Sequence, residues 1–226
     1  MHSDKSRLKV SPGLIAGVIV FLFFGIALYL RIALPYDRIF TDEWIKFVGA
    51  DSYYYMRIVD NLVFNFPHLS SYDPYMLYPV GMDIGAMPFY SYLLSSVIKL
   101  ANFASPDEHV INVISAYFPA VLGALTVIPV FFIGKTVFNR WAGVLAAGLI
   151  AISPGEFLGR TILGFVDHHA IEVLLTSCTI MFLLLAIKKA EANNLDLNKF
   201  RQKDWAIITE QRLVCIGNYW KTTKNR

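Results

Sequence analysis

Four apolar stretches set the terms for any fold of this chain: Pro12 to Leu30, Val110 to Phe138, Trp141 to Ile152 and Ala170 to Ile187. Runs of about 20 apolar residues match the hydrocarbon thickness of a bilayer. Inside lipid, a single segment satisfies its own backbone only as a helix. The chain therefore reads as an all-α membrane protein. Composition agrees: 56% of its 226 residues are hydrophobic, 16% are charged and the mean hydropathy is +0.50, outside the range of a soluble domain. The runs place four spans at 12–33, 110–134, 141–156 and 170–187, separated by loops that include 35–108 and 154–169.

The first run is longer than the apolar core of a signal peptide, and Tyr29, Arg31 and Pro35 follow it without a small-x-small cleavage site. It is expected to remain as an anchor. The net charge of +3 and pI near 8.8 do not indicate nucleic acid, because the basic residues gather at the chain ends and beside apolar runs, where anionic lipid attracts them. Lys5, Arg7 and Lys9, then Lys135 and Arg140, then Lys188, Lys189, Lys199, Arg201 and Lys203 fall on one side if all four runs cross. That side is cytoplasmic by the positive-inside rule. The N-terminus is then cytoplasmic, and loops 35–108 and 154–169 face outward from the cell (plasma) membrane. Cys178 and Cys215 offer neither a disulfide framework nor metal-ligand spacing.

Loop 35–108 is rich in carboxylates. Within it, Asp51 to Phe64 carries Tyr55, Ile58, Val59 and Leu62 at helical spacing, with Asp51 where an N-cap would stand. Arg57 is expected to pair with Asp60 along that helix. The Tyr72-Asp73-Pro74 and Tyr78-Pro79-Val80-Gly81 turns then interrupt regular structure. Met87 to Phe103 is helical in pattern but short for a span, and reads as an interfacial or packed helix. Asp42-Glu43 reads as a solvated turn.

The densest polar group is Gly159-Arg160-Thr161-Ile162-Leu163-Gly164-Phe165-Val166-Asp167-His168-His169, set between two apolar runs. Ionisable groups at a membrane boundary are costly to desolvate unless they bind something. In an extended segment entering a helix, Asp167 and His169 would point to the same side and reach one divalent ion. Carboxylate with imidazole suits Mn²⁺, Fe²⁺ or Zn²⁺, and a shell completed by oxygens favours Mn²⁺ or Mg²⁺. The plainer reading makes Asp167 the N-cap of the fourth helix, with the histidines at headgroup level. Arg160 can meet an anionic group or serve as an interfacial anchor. Asp51 shares the external face with this group, or simply caps its own helix.

The stretches GADSYYYMR (49–57), YPVG (78–81) and above all GRTILGFVDHH (159–169) resemble the catalytic subunit of oligosaccharyltransferases, most closely the archaeal kind, over roughly residues 10–190. The resemblance implies the membrane part of a C-type glycosyltransferase with a large first external loop. It implies transfer of a lipid-linked oligosaccharide to asparagine in Asn-x-Ser/Thr, with membrane lipid, glycolipid donor and acceptor polypeptide as partners. By the same resemblance Asp51 helps hold the metal and activates the acceptor amide, Asp167 and His169 bind the metal, and His168 takes the variable middle position. Arg160 would face the donor phosphate. An amide nitrogen is a poor nucleophile, so carboxylates that bond its N–H groups, beside a metal that stabilises departing phosphate, make chemical sense.

Family members continue into further membrane helices and a soluble domain bearing a Trp-Trp-Asp motif, neither of which is found in this sequence. Residues 191–226 are expected to be a divergent cytoplasmic tail, and the chain a truncated or incomplete catalytic subunit, inactive alone, whose missing half a separate chain can supply. Two other functions are compatible with the residues: another polyprenyl-phosphate-sugar-dependent glycosyltransferase, with Asp42-Glu43 or Asp51 as general base, and a membrane scaffold whose Asp/His group merely gathers metal.

Overall fold

The computed structural model describes residues 11–41, 44–84, 88–101 and 107–192. The chain divides into two units, residues 1–181 and 182–226; of the second, the described part is the closing turns of the last helix. Asp42-Glu43, the basic residues at 5–9, both ends of the 87–103 segment and the tail with Cys215 lie outside the described residues.

Helix α1 (Pro12–Ile32) starts where Ser11 Oγ accepts the Leu14 N–H at 3.2 Å, with proline at the first helical position. A short turn, α2 (Tyr36–Ile39), follows. Next comes α3 (Ala50–Asn65), which buries Tyr55, Ile58, Val59 and Leu62 as their spacing requires. Its N-cap is Gly49 at φ 80°, not Asp51, which stands inside the first turn. A capping side chain needs extended backbone, and here the chain enters the helix through a left-handed turn that suits glycine.

Two short strands, β1 (Tyr72–Asp73) and β2 (Met82–Asp83), pair antiparallel, Tyr72 opposite Asp83. Gly81, at φ 76°, suits the turn between them, and a Cβ there would also stand 1.9 Å from the Tyr72 hydroxyl. The hairpin is tied to α3 by Arg57, whose Nε and Nη2 both donate to Asp73, the latter at 2.9 Å. The expected Arg57–Asp60 pair is thereby replaced. The planar guanidinium finds a bidentate carboxylate outside its own helix, and this holds the Asp73 carboxyl below its ordinary range. Asp60 is left with Oδ1 buried and without a hydrogen bond, and burial, with Glu108 nearby, pushes its carboxyl up to about 6.

Helix α4 (Pro88–Ala101) packs on α3 and α5 (Glu108–Leu125), burying Tyr90, Leu94 and Ile98. At 14 residues it is about 21 Å long, short of a bilayer. Helix α5 passes through Thr126 into α6 (Val127–Val137). Within the 110–134 run the helical hydrogen bonds break at Thr126: Pro129 has no N–H for the Leu125 carbonyl one turn back, and the Thr126 hydroxyl bonds the Leu122 carbonyl at 3.2 Å. Asn139 then caps α7 (Arg140–Ile152), accepting from the N–H groups of Trp141 and Ala142. Helix α7 stops at Ile152 and not at 156, since Ser153 precedes proline and leaves the helical region.

After α8 (Glu156–Gly159), the chain loops into α9 (His169–Ala192). Among the described residues, three runs are long and apolar enough to cross a membrane: Pro12–Ile39, Glu108–Val137 and His169–Ala192. The 13 residues of α7 span only about 20 Å.

Two cores result. One packs Ala16, Ala27, Ala124, Ala147 and Ala151 with Val127, Phe131 and Val144 between α1, α5, α6 and α7. Small residues let the backbones approach, as helices in lipid require, and Gly134 lies against Gly143 so closely that a Cβ on it would be 2.9 Å from the Gly143 Cα. The other gathers Tyr55, Val59, Tyr90, Leu94, Ile111, Leu163, Val166 and Ala170. The second core places the 160–169 loop.

Candidate active site

The loop between α8 and α9 is fixed by three backbone bonds of 2.9 Å to three separate parts of the chain: Leu163 N–H to the Arg31 carbonyl, Gly164 N–H to the Ala116 carbonyl, and Val48 N–H to the Gly164 carbonyl. Gly164 takes φ 78°, and a Cβ there would meet the Ile39 Cδ1 at 2.8 Å. Arg31 holds the loop from its side chain as well. It is 0% exposed, donates from Nε to Thr161 Oγ1 at 2.9 Å and from Nη1 to the Ala27 and Ala151 carbonyls at 3.2 Å, and lies 5.2 Å from the Phe157 ring centre. In the sequence Arg31 is only a residue following an apolar run; nothing there marks it as the loop's clamp.

Asp167 is 1% exposed. Its Oδ1 accepts the His168 N–H at 2.6 Å and lies 2.5 Å from His168 Nδ1. Its Oδ2 is buried and makes no hydrogen bond, although His169 Nε2 is 3.3 Å away and Arg160 Nη1 3.9 Å away. One ligand atom each from Asp167, His168 and His169 lie within 4.8 Å of one another, the one such group among the described residues. An orphaned carboxylate oxygen facing imidazole nitrogens fits a divalent metal of the borderline class.

Asp167 and His169 meet as expected, but not through an extended segment. The chain bends at Asp167 and turns at His168, whose carbonyl accepts the first bonds of α9 from Ile171 and Glu172. Asp167 therefore stands one residue before the cap and does not cap α9. The same bend brings His168 inward, where alternation along a strand would have sent it away. The Tyr55 hydroxyl lies 2.8 Å from His168 Nδ1, a contact across 113 residues that no local pattern announces. Burial, reinforced by the Asp167 charge, raises the Tyr55 phenol and keeps it protonated. Glu172 does carry a readable signal, standing three and four residues after the two histidines on one helical face.

Arg160 pairs with Glu156 at 2.7 Å, which raises its guanidinium further, and Asp167 and Asp51 add to that effect. Asp51 is exposed on the first turn of α3. It acts electrostatically on Tyr55 and Arg160, as Asp167 does, but is not in the three-residue group. The Gly49 turn that sets it there abuts Phe165, 3.7 Å from where a Cβ would be. A separate cavity of about 800 Å³ is lined by Phe47, Tyr53, Arg57, Asp60, Asp73 and Glu108, among others, and by none of the Asp167 group.

Residues 13–210 match the family described as "Oligosaccharyl transferase STT3, N-terminal". The chain belongs to this oligosaccharyltransferase family. Among its relatives is dolichyl-phosphooligosaccharide-protein glycotransferase 3 of Archaeoglobus fulgidus, 36% identical over 196 residues, covering 86% of this chain and 22% of the relative. The archaeal oligosaccharyltransferase AglB from Archaeoglobus fulgidus, solved with an inhibitory peptide and a dolichol-phosphate, superposes with a TM-score of 0.73 at 33% identity over 83% of this chain and 22% of that one. A structure of the Archaeoglobus fulgidus oligosaccharyltransferase in complex with Zn and sulfate gives 0.71 at 34% over 80% and 22%. The chain thus spans about a fifth of the length of these oligosaccharyltransferases. The three long apolar helices fit the membrane protein that this family membership implies.

Proposed function

We propose that the chain forms the N-terminal, metal-holding part of an enzyme that transfers a lipid-linked oligosaccharide to asparagine in Asn-x-Ser/Thr. The buried Oδ2 of Asp167, without a hydrogen bond and facing His169 Nε2, carries this reading. Asp167 and His169 hold a divalent metal, with His168 beside them, and two imidazoles with a carboxylate favour Mn²⁺ over Mg²⁺. When bound, the metal supplies Lewis-acid stabilisation to a departing phosphate. Asp51 completes the site from α3, where it accepts hydrogen bonds from the acceptor amide. Arg160, already turned toward Asp167, meets the donor phosphate once it exchanges part of its contact with Glu156. Arg31 and Tyr55 keep the loop and the His168 ring in place.

The membrane arrangement belongs to the same proposal. Helix α7 crosses as a short fourth span within its bundle, the 35–108 and 154–169 loops face outward from the plasma membrane, and the N-terminus is cytoplasmic. A glycolipid donor and an acceptor polypeptide are the substrates, and the remaining four-fifths of the enzyme, in the same or a separate chain, completes acceptor binding. The similarity to structures holding dolichol-phosphate, peptide, Zn and sulfate supports these ligand classes.

The test replaces the matching N-terminal part of the Archaeoglobus fulgidus relative with residues 13–190 of this chain. The chimera, given lipid-linked oligosaccharide, Mn²⁺ and a sequon peptide, is expected to form glycopeptide, and Asp51→Ala or Asp167→Ala to abolish it. A folded chimera whose turnover survives Asp167→Ala refutes the assignment.

A further inference from the structure

Glu172 sits behind both imidazoles of the Asp167 group. Its Oε2 is 3.2 Å from His169 Nδ1 and its Oε1 is 3.6 Å from His168 Nε2. In each ring the nitrogen facing Glu172 is the one turned away from Asp167: His169 presents Nε2 to Asp167 Oδ2, and His168 presents Nδ1 to Asp167 Oδ1. A carboxylate on the far nitrogen of a histidine fixes which nitrogen carries the proton and leaves the other lone pair free for a metal. The Tyr55 hydroxyl lies 2.8 Å from the same His168 Nδ1, and because a ring nitrogen has one lone pair, a metal there would displace any hydrogen bond that Tyr55 donates to it. Helix geometry makes the arrangement possible: residues three and four apart share a face, so one glutamate in the first turn of α9 reaches two adjacent histidines at its start.

We infer that Glu172 is a positioning residue that selects the tautomer of His169 for metal binding and, by its charge, favours the same state of His168, without itself being a ligand. The inference rests on the metal reading of the Asp167 group. Glu172 is 47% exposed on its side chain, so its replacement leaves the packing intact.

The experiment titrates the detergent-solubilised full chain with Mn²⁺ alone, reading free ion by electron paramagnetic resonance, and measures the unfolding temperature of each metal-free variant. Glu172→Ala is expected to weaken Mn²⁺ binding about 10–100-fold, the usual effect of removing such a partner, with an unchanged unfolding temperature. Glu172→Gln, whose amide oxygen still accepts from an imidazole N–H, should restore most of the affinity. Glu172→Ala binding within twofold of wild type overturns the inference, as does a Gln variant as weak as the Ala variant, which would make Glu172 an anionic ligand. A loss matched by a lower unfolding temperature of the metal-free chain also overturns it. If wild type binds no Mn²⁺, or Asp167→Ala binds it equally well, the metal reading itself fails and takes the role of Glu172 with it.

Discussion

Asp60→Asn should stabilise this protein, and only above a certain pH. The Asp60 carboxylate has Oδ1 buried without a donor, and its carboxyl titrates at about 6 instead of the ordinary 3.8, chiefly through desolvation and secondly through Glu108. A folded-state value above the unfolded one means that this group favours folding least when ionised. Its contribution is fully present below 3.8 and is lost as the pH rises through about 6. The gap between 3.8 and about 6, at 1.36 kcal/mol per pH unit, corresponds to about 3 kcal/mol. Asp60 is only partly buried and Glu108 is exposed, so solvent screening reduces this to about 1–2 kcal/mol. The amide keeps the shape and removes the charge. Thermal unfolding of the solubilised chain, followed by tryptophan fluorescence from pH 4 to 8, should show Asp60→Asn melting about 2–8 °C higher at pH 8 and level with wild type near pH 4. Parallel curves across the range, or a lower melting point at pH 8, would refute the argument from desolvation.

Two other substitutions probe how the loop and the bundle are held. Gly143→Ala places a Cβ 2.5 Å from the Phe131 carbonyl and 2.8 Å from the Lys135 nitrogen, so α6 and α7 must part at a cost of about 1–3 kcal/mol, whereas Gly17→Ala, inside α1 with nothing within 4 Å, should hold or slightly raise the melting temperature. Arg31→Met removes the hydrogen bonds to Thr161, Ala27 and Ala151 and leaves two carbonyls and a hydroxyl short of a donor, a loss of about 2–4 kcal/mol. Hydrogen exchange should accelerate at Leu163 and Gly164 while α6 stays protected, and equal acceleration everywhere would show that Arg31 supports the whole bundle and not this loop.

Much of the architecture was legible because its cause is local. Apolar runs of bilayer length specify α1, the α5–α6 run and α9; the spacing of Tyr55, Ile58, Val59 and Leu62 specifies the buried face of α3; and proline explains the end of α7 and the break at Thr126. The Asp167 and His169 pair was legible as composition, since adjacent ionisable groups between apolar runs call for a partner. Its family signature at 159–169 was legible too, and the match over residues 13–210 agrees with it.

Tertiary structure decided which partner each polar group takes. Arg57 could be assigned to Asp60 from helical spacing alone, yet a bidentate carboxylate on the β1–β2 hairpin is the better acceptor, and Asp60 is left in a desolvated niche. Arg31 and Tyr55 reach the 160–169 loop across 130 and 113 residues, separations that carry no periodic trace in a sequence. The sequence by itself determined that this chain carries helices apolar enough for a membrane and that an acid and two imidazoles stand between two of its apolar runs. Only the packed chain decided that the Asp167 oxygen is left unbonded beside His169, because a buried donor or acceptor is satisfied by whatever the fold brings within about 3 Å.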